Sequence, residues 1–312
     1  MIETPSCHIC GNEGESLLPW AQGGGEMRHC RECDFAFAWP LQHLDPVETY
    51  SRAYEGRETR TDMANYATRL GRRSIVAKSE AIGLWSPAHH ATLKWLEENV
   101  PPGATVLEVG CGLGSFMRAL RDRGYNAVGV DPARPVIDAI QAEGFQAWCG
   151  TVDTMPADWL ERQPDAIVSF FILHHMPDPV GFFESIRTRW AAPLLIGYNR
   201  APTKQTAEWF NFPPRTWGWW SAKAIGKALE RAGYAVNEIG AQPKGVPQVF
   251  LPPKLHGWVS SILWRWPWIR RAVSPIANVV LRIAFKLLKP IPSLRKSFTG
   301  SLFIIATPEP QA

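Results

Sequence analysis

The chain lacks acidic residues over a long stretch toward its C-terminus. From Ile239 to Pro308 the 312-residue sequence has no Asp or Glu, although ten Lys and Arg residues lie there. The formal net charge of +4 therefore hides a segment in which positive charge is concentrated. A segment of this kind predicts an acidic partner.

Two targeting features are also missing. The sequence does not open with a basic region followed by an apolar run, which is typical of a secretory signal. No uncharged run reaches the roughly 18 residues that a membrane-spanning helix needs. We therefore expect a cytoplasmic location, and the hydrophobic content of 46% predicts a folded globular protein.

Cysteine is scarce, and four of the six cysteines form two C-x-x-C pairs, separated by nineteen residues, near the N-terminus: Cys7, Cys10, Cys30 and Cys33. Without a secretory signal this spacing indicates metal ligands, and Zn²⁺ is the natural occupant of four thiolates. A four-thiolate shell is closed, so it would stiffen a small module and would not activate water. A metal-free pair of turns is the alternative interpretation.

Composition divides the chain into five zones. They are a zinc-ribbon module at 1–42, a helical connector or cap at 43–100, an α/β domain at 101–240, a basic Trp-rich helical insertion at 241–298, and a closing strand and tail at 299–312. Within the α/β domain, apolar strand-like runs alternate with helical ones, as βαβ units require. We expect a mainly parallel Rossmann-like sheet with helices on both faces.

The most specific motif is an apolar strand that runs into a glycine-rich turn. Residues 106–116 read Val-Leu-Glu-Val-Gly-Cys-Gly-Leu-Gly-Ser-Phe, and glycines let the backbone turn tightly and approach a ligand closely. Asp131 ends the next strand about twenty residues later, where its carboxylate can accept hydrogen bonds from a ribose diol. The acidic Glu108 and the missing x-x-Gly spacing favour a ligand with a cationic end over a dinucleotide.

These residues resemble the class I S-adenosylmethionine (SAM) dependent methyltransferases, whose first motif is close to E-x-G-C-G-x-G. The resemblance continues through residues 165–179 and 213–234 and covers about half of the chain. It implies that Glu108, Gly110, Cys111, Gly112 and Gly114 surround the methionine part of SAM and that Asp131 holds the ribose. The remaining cofactor contacts implied by the resemblance are Thr151, Val152, Asp153 and Phe170, with Thr151 and Asp153 as alternative adenine contacts.

The N-terminal module resembles that of zinc-bearing methyltransferases that tailor sugars and polysaccharides, because aromatic residues at 35–39 and Tyr50-x-x-x-Tyr54 follow its cysteines. Those proteins have a further long C-terminal domain that has no counterpart in this sequence. The resemblance to those proteins is therefore limited to the zinc module and the SAM domain.

Two histidines are the candidates for a catalytic base. His174 and His175 follow the fourth strand at the edge where open α/β sheets place their chemistry. A neutral imidazole can take a proton from an acceptor hydroxyl, and shaping the pocket is the alternative role for His175. An aromatic-rich loop at 209–220 either walls an acceptor pocket or fills a core.

The basic segment 255–296 combines tryptophans with a wide apolar helical face and a narrow cationic stripe. This pattern favours an anionic membrane surface at the cytoplasmic face. Packing against protein is the alternative. Nucleic acid is disfavoured because aliphatic faces do not stack bases.

We therefore predict a SAM-dependent methyltransferase that acts on a small-molecule or glycan acceptor. A lipid-linked acceptor is a narrower form of this hypothesis. A catalytically inactive SAM-fold scaffold is the rival. An RNA methyltransferase is disfavoured because the sequence lacks an Asn- or Asp-Pro-Pro-Tyr motif of base methylation.

Overall fold

A computed structural model describes residues 5–20, 24–41, 45–54, 86–199, 202, 207, 211–213, 215–243 and 299–310. The predicted membrane-facing segment at 255–296 lies outside these residues. Within them, no helix is both long enough and apolar enough to cross a membrane.

The strands form two sheets. In chain order they are β1 (Glu15–Pro19), β2 (Glu26–Cys30), β3 (Phe35–Trp39), β4 (Thr105–Val109), β5 (Asn126–Asp131), β6 (Gln146–Cys149), β7 (Ala166–Phe170), β8 (Leu194–Asn199), β9 (Gly218–Trp220), β10 (Tyr234–Pro243) and β11 (Thr299–Pro308).

The larger sheet has the order β10-β11-β8-β7-β4-β5-β6. Strands β4 to β8 pair in parallel, whereas β11 lies antiparallel between β8 and β10. All five residues of β4 and of β7 are buried, as expected for central parallel strands covered on both faces. The predicted mainly parallel Rossmann-like sheet is confirmed, and β11 corresponds to the predicted closing strand near the C-terminus.

Helices cover both faces of this sheet. They are α1 (Pro46–Tyr54), α2 (Pro87–Asn99), α3 (Ser115–Arg121), α4 (Arg134–Ala142), α5 (Pro179–Arg189) and α6 (Ala222–Arg231). A side chain caps α6, because the Ser221 hydroxyl accepts a 3.0 Å hydrogen bond from the Ala224 N–H. Gly233 follows this helix at a φ of +81°, which is the left-handed ending expected after a helix.

The smaller sheet has the order β1-β2-β3-β9 and joins distant parts of the sequence. Its first three strands belong to the cysteine-bearing N-terminal module, and β9 comes from the loop that precedes α6. β9 was not predicted from the sequence. The pairing of β3 with β9 makes this sheet a bridge between the module and the α/β domain.

Candidate cofactor and acceptor site

The glycine turn follows β4 and forms one wall of a cavity. Gly110 has a φ of +77°, and a Cβ built there would lie 2.4 Å from Ile172 Cγ2. Its N–H donates to the Val130 carbonyl oxygen at 2.8 Å, so the turn lies tightly against the end of β5. A side chain at this position would both strain the backbone and close the gap that the turn leaves.

Asp131 ends β5 and faces the same cavity. Its Oδ2 accepts a 2.9 Å hydrogen bond from the Gly112 N–H, and its Oδ1 accepts one of 2.9 Å from the Ala133 N–H. Burial raises the pKa of this carboxyl to about 6, and the two backbone N–H groups oppose the shift. Each oxygen retains a lone pair, so the carboxylate has acceptor capacity for ligand hydroxyls.

The cavity has a volume of about 600 Å³, within the usual range for small-molecule sites. It brings together eight of the predicted site residues: Gly110, Gly112, Asp131, Thr151, Val152, Asp153, Phe170 and His175. Because Thr151 and Asp153 both line it, the two alternatives for the adenine contact remain open.

Three predicted cofactor contacts lie outside the cavity wall. Cys111 and Gly114 are buried in the body of the turn, and a Cβ on Gly114 would meet Ile140 Cγ1 at 3.2 Å. Glu108 is a β4 residue, only 4% exposed, beneath the turn. Burial, followed by the neighbouring charge of Asp131, raises its pKa well above the usual range. The expectation that these three residues touch the methionine part stays a prediction, to which the cavity adds no support.

His175 lies in a short 3₁₀ turn, Leu173–His175, that follows β7. Its Nδ1 is 2.6 Å from the Arg215 carbonyl oxygen, which only accepts, so Nδ1 carries the hydrogen and the neutral ring leaves Nε2 unprotonated. Burial lowers the pKa of His175 to about 4. The Tyr50 ring meets the imidazole edge-to-face, with 5.3 Å between the centroids.

His174 does not line the cavity. Its ring centroid lies 3.9 Å from that of His175, and burial lowers its pKa well below the usual range. Its backbone oxygen accepts a 2.7 Å hydrogen bond from the Trp217 N–H. This geometry favours a structural role for His174 over the predicted role as a base.

Several residues that line the cavity were not predicted as site residues. Phe171, Ile172, Met176 and Phe182 line it, as does Tyr50 of α1. Phe171 has a φ of +59°, an unusual backbone conformation for an aromatic residue and one that concentrates at functional sites. For Phe171, Ile172 and Met176, the position just past β7, at the carboxyl edge of the sheet, was the signal that could have identified them.

The aromatic loop mostly fills a core. Phe212, Trp217, Trp219 and Trp220 are buried against the N-terminal sheet, and among them only Trp217 lines the cavity. The core-filling alternative therefore describes most of this loop. Trp209 and Phe210 lie outside the described residues.

The four cysteines converge at one point. The Sγ atoms of Cys7, Cys10, Cys30 and Cys33 all lie within 4.8 Å of one another. Backbone N–H groups of Ile9 and Cys33 approach Cys7 Sγ and Cys30 Sγ at 3.4 and 3.5 Å. This donor set fits one tetrahedral zinc ion.

Comparison with known proteins identifies the family of the α/β domain. The family described as a methyltransferase domain matches residues 80–239, just over half of the chain. The chain belongs to this methyltransferase family. The predicted class of enzyme, a SAM-dependent methyltransferase, is thereby confirmed at the level of the family.

The relatives are more distant. A ubiquinone biosynthesis O-methyltransferase of Xylella fastidiosa (strain 9a5c) is 32% identical over 99 residues, which are 30% of this chain and 40% of that protein. A 2-methyl-6-phytyl-1,4-hydroquinone methyltransferase of Synechocystis is 29% identical over 102 residues, which are 31% of this chain and 32% of that protein. The chain thus spans less than half the length of either relative.

Solved structures also resemble most of the chain. A chain from the complex between the Haloferax volcanii Trm112 methyltransferase activator and a methyltransferase superposes with a TM-score of 0.53. The match covers 84% of this chain and 99% of that chain at 17% identity. At this identity the likeness supports the methyltransferase fold alone.

Proposed function

We propose that the protein transfers the methyl group of SAM to a hydroxyl of a hydrophobic, lipid-linked small molecule. The observation that carries this proposal is that one cavity joins the Asp131 carboxylate and the glycine turn to the His175 imidazole. The first two would hold the cofactor, and the third lies where an acceptor proton can be taken.

The residues present fit SAM. Gly110 and Gly112 leave backbone without a Cβ at the wall, and Asp131 offers carboxylate lone pairs toward a ribose diol. Thr151 and Asp153 line the same cavity, and one of the two would contact the adenine. SAM supplies an electrophilic methyl on a sulfonium, so the protein needs only to align an acceptor and to accept its proton.

His175 is our candidate for the proton acceptor. The bond from Nδ1 to the Arg215 carbonyl fixes the tautomer that leaves the Nε2 lone pair available. Because burial lowers its pKa to about 4, the imidazole is neutral at pH 7 and can act as a base. Its low basicity suits an acidic hydroxyl, such as a phenol or hydroquinone, better than an aliphatic one.

The walls around His175 support a hydrophobic acceptor. Aromatic and aliphatic side chains predominate on this side of the cavity, where Tyr50, Phe171, Ile172, Phe182 and Trp217 meet it. The names of the ubiquinone and phytyl-hydroquinone methyltransferases among the relatives point in the same direction. A glycan acceptor would call for more polar partners than these walls present.

We further propose a zinc ion at the four cysteines and peripheral binding to an anionic membrane through 255–296. The convergence of the four Sγ atoms supports the zinc ion. The membrane proposal is supported by the sequence pattern of cationic and tryptophan side chains and by the hydrophobic acceptor that it would deliver. Cosedimentation with anionic vesicles at low salt tests it, and its complete absence would remove that part of the proposal.

A methyl-transfer assay tests the function. Purified protein is incubated with labelled SAM and, separately, with a lipid hydroquinone and with a lipid-linked glycan. Label in the hydroquinone product supports the proposal, and label only in the glycan replaces the acceptor class. No transfer to any acceptor by protein that also fails to bind SAM would favour the inactive scaffold.

A further inference from the structure

The turn that carries His175 is tied to the cysteine-bearing module through backbone pairing. Cys33 comes two residues before β3, and β3 pairs with β9 through Phe35, Ala36 and Phe37. Beyond this ladder, the Ala38 N–H donates to the Trp217 oxygen at 2.9 Å, and the Trp217 N–H donates to the His174 oxygen at 2.7 Å. A continuous set of hydrogen bonds thus runs from the cysteine module to the 3₁₀ turn.

One side chain also connects β3 with the 3₁₀ turn. Trp220 in β9 is fully buried, and its Nε1 donates to the Leu173 carbonyl oxygen at 3.1 Å. Its ring lies 4.4 Å from the Phe35 ring, centroid to centroid. Trp220 therefore contacts the first residue of the histidine turn on one side and the first residue of β3 on the other.

The partner of the His175 ring belongs to the same unit. Arg215, whose carbonyl accepts from His175 Nδ1, lies three residues before β9, and Trp217 lies between them. The position of this carbonyl is therefore set by how β9 is held. A three-residue 3₁₀ turn has poor internal hydrogen bonding, so outside contacts decide its geometry.

We propose that Trp220 is a positioning residue for His175 and that the four-cysteine site, through β3 and β9, holds the imidazole in its Nδ1–H tautomer. This inference rests on the proposed function in giving His175 a catalytic task. A closed four-thiolate metal site, which has no chemistry of its own, then acts on catalysis by stiffening the strand that orients the base.

Trp219 provides a matched control. It is the neighbouring residue of β9 and is also buried, and its Nε1 donates at 2.7 Å to the Asn211 carbonyl oxygen instead of to the histidine turn. Trp219→Phe and Trp220→Phe each remove one indole N–H bond to a backbone carbonyl while retaining an aromatic ring. The two variants differ in which carbonyl loses its donor.

The experiment records the ¹⁵N shifts of the His175 imidazole in the full-length protein, assigned by their loss in His175→Gln. We expect a pure Nδ1–H tautomer in the wild type and in Trp219→Phe, and a mixture of tautomers in Trp220→Phe and in chelator-treated protein. The same two perturbed samples should lose about tenfold in kcat with the KM for SAM unchanged.

Wild-type tautomer signals in both Trp220→Phe and the chelator-treated protein would overturn the inference. Because the shifts are read without substrate, this result is distinguishable from failure of the proposed function, which would show as missing methyl transfer. If chelation unfolds the protein, Trp220→Phe alone decides, and a wild-type spectrum in that variant overturns the inference.

Discussion

The Gly112 N–H donates a 2.9 Å hydrogen bond to Asp131 Oδ2, which joins the glycine turn to the end of the next strand. The bond links the two elements that would hold opposite parts of a nucleoside cofactor. It also holds a buried carboxylate at the cavity wall, and burial raises the pKa of that carboxyl to about 6.

Cofactor affinity should depend on pH through Asp131. The free protein has an Asp131 pKa of about 6, and only the ionised carboxylate accepts from both backbone N–H groups and a ribose diol. Binding therefore favours the deprotonated form, and affinity for S-adenosylhomocysteine should be full at pH 8 and fall as the pH drops through 6. Titration calorimetry from pH 8 to pH 5 measures this, and an Asp131→Asn variant should show weak binding with little pH dependence.

Gly110→Ala should unfold more easily and bind the cofactor poorly. The substitution costs about 1–2 kcal/mol for the positive φ and adds a clash with Ile172. Gly124→Ala is the control, because Gly124 has a φ of +80° with no atom within 4 Å of its built Cβ. Thermal denaturation should show a larger loss of stability for Gly110→Ala, and equal losses would contradict the close approach.

His175→Asn should lower kcat about 100-fold or more, since Asn can donate to the Arg215 carbonyl but cannot take a proton. Binding of S-adenosylhomocysteine should be retained. His90→Gln, on the exposed side of α2, should leave both quantities unchanged. A His175→Asn enzyme with full activity would exclude His175 as the base.

The pH profile of the wild type gives a second check. Because burial lowers the pKa of His175 to about 4, kcat should stay flat from pH 8 to pH 6. The KM for SAM should begin to rise over the same range, because Asp131 takes up a proton.

The purified protein should contain one zinc ion per chain. Elemental analysis of wild type and of Cys30→Ser should show the metal lost in the variant, with a melting temperature lower by several degrees. Cys149→Ser serves as the control, because Cys149 lies outside the cluster and contacts the Pro132 oxygen. Wild-type protein that contains no zinc and melts at the same temperature as Cys30→Ser would support the metal-free turns instead.

Local sequence signals predicted much of the fold. The apolar strand that ends at Val109 and the glycine turn after it are encoded within a dozen neighbouring residues, and both were found where expected. The pairing of Phe37 with Gly218 joins residues 181 positions apart through a three-residue strand, so no local pattern could reveal it.

The candidate site divides in the same way. Asp131 and the turn glycines follow from motif and spacing, whereas the place of Tyr50 beside His175 depends on how α1 packs against α4. Glu108 shows the limit of motif reasoning. The motif specifies a Glu at this position but does not indicate whether its side chain faces the cavity or the core, and in the structure it is buried.

Titration of S-adenosylhomocysteine into the purified protein, with Asp131→Ala and Asp138→Ala in parallel, tests the central claim most directly. Asp138 is an exposed carboxylate on the neighbouring helix α4 and provides the control for a lost negative charge. We predict binding in the micromolar range by the wild type and by Asp138→Ala, and its loss in Asp131→Ala. No binding by folded wild-type protein, or equal binding by all three proteins, would contradict a SAM site at this cavity.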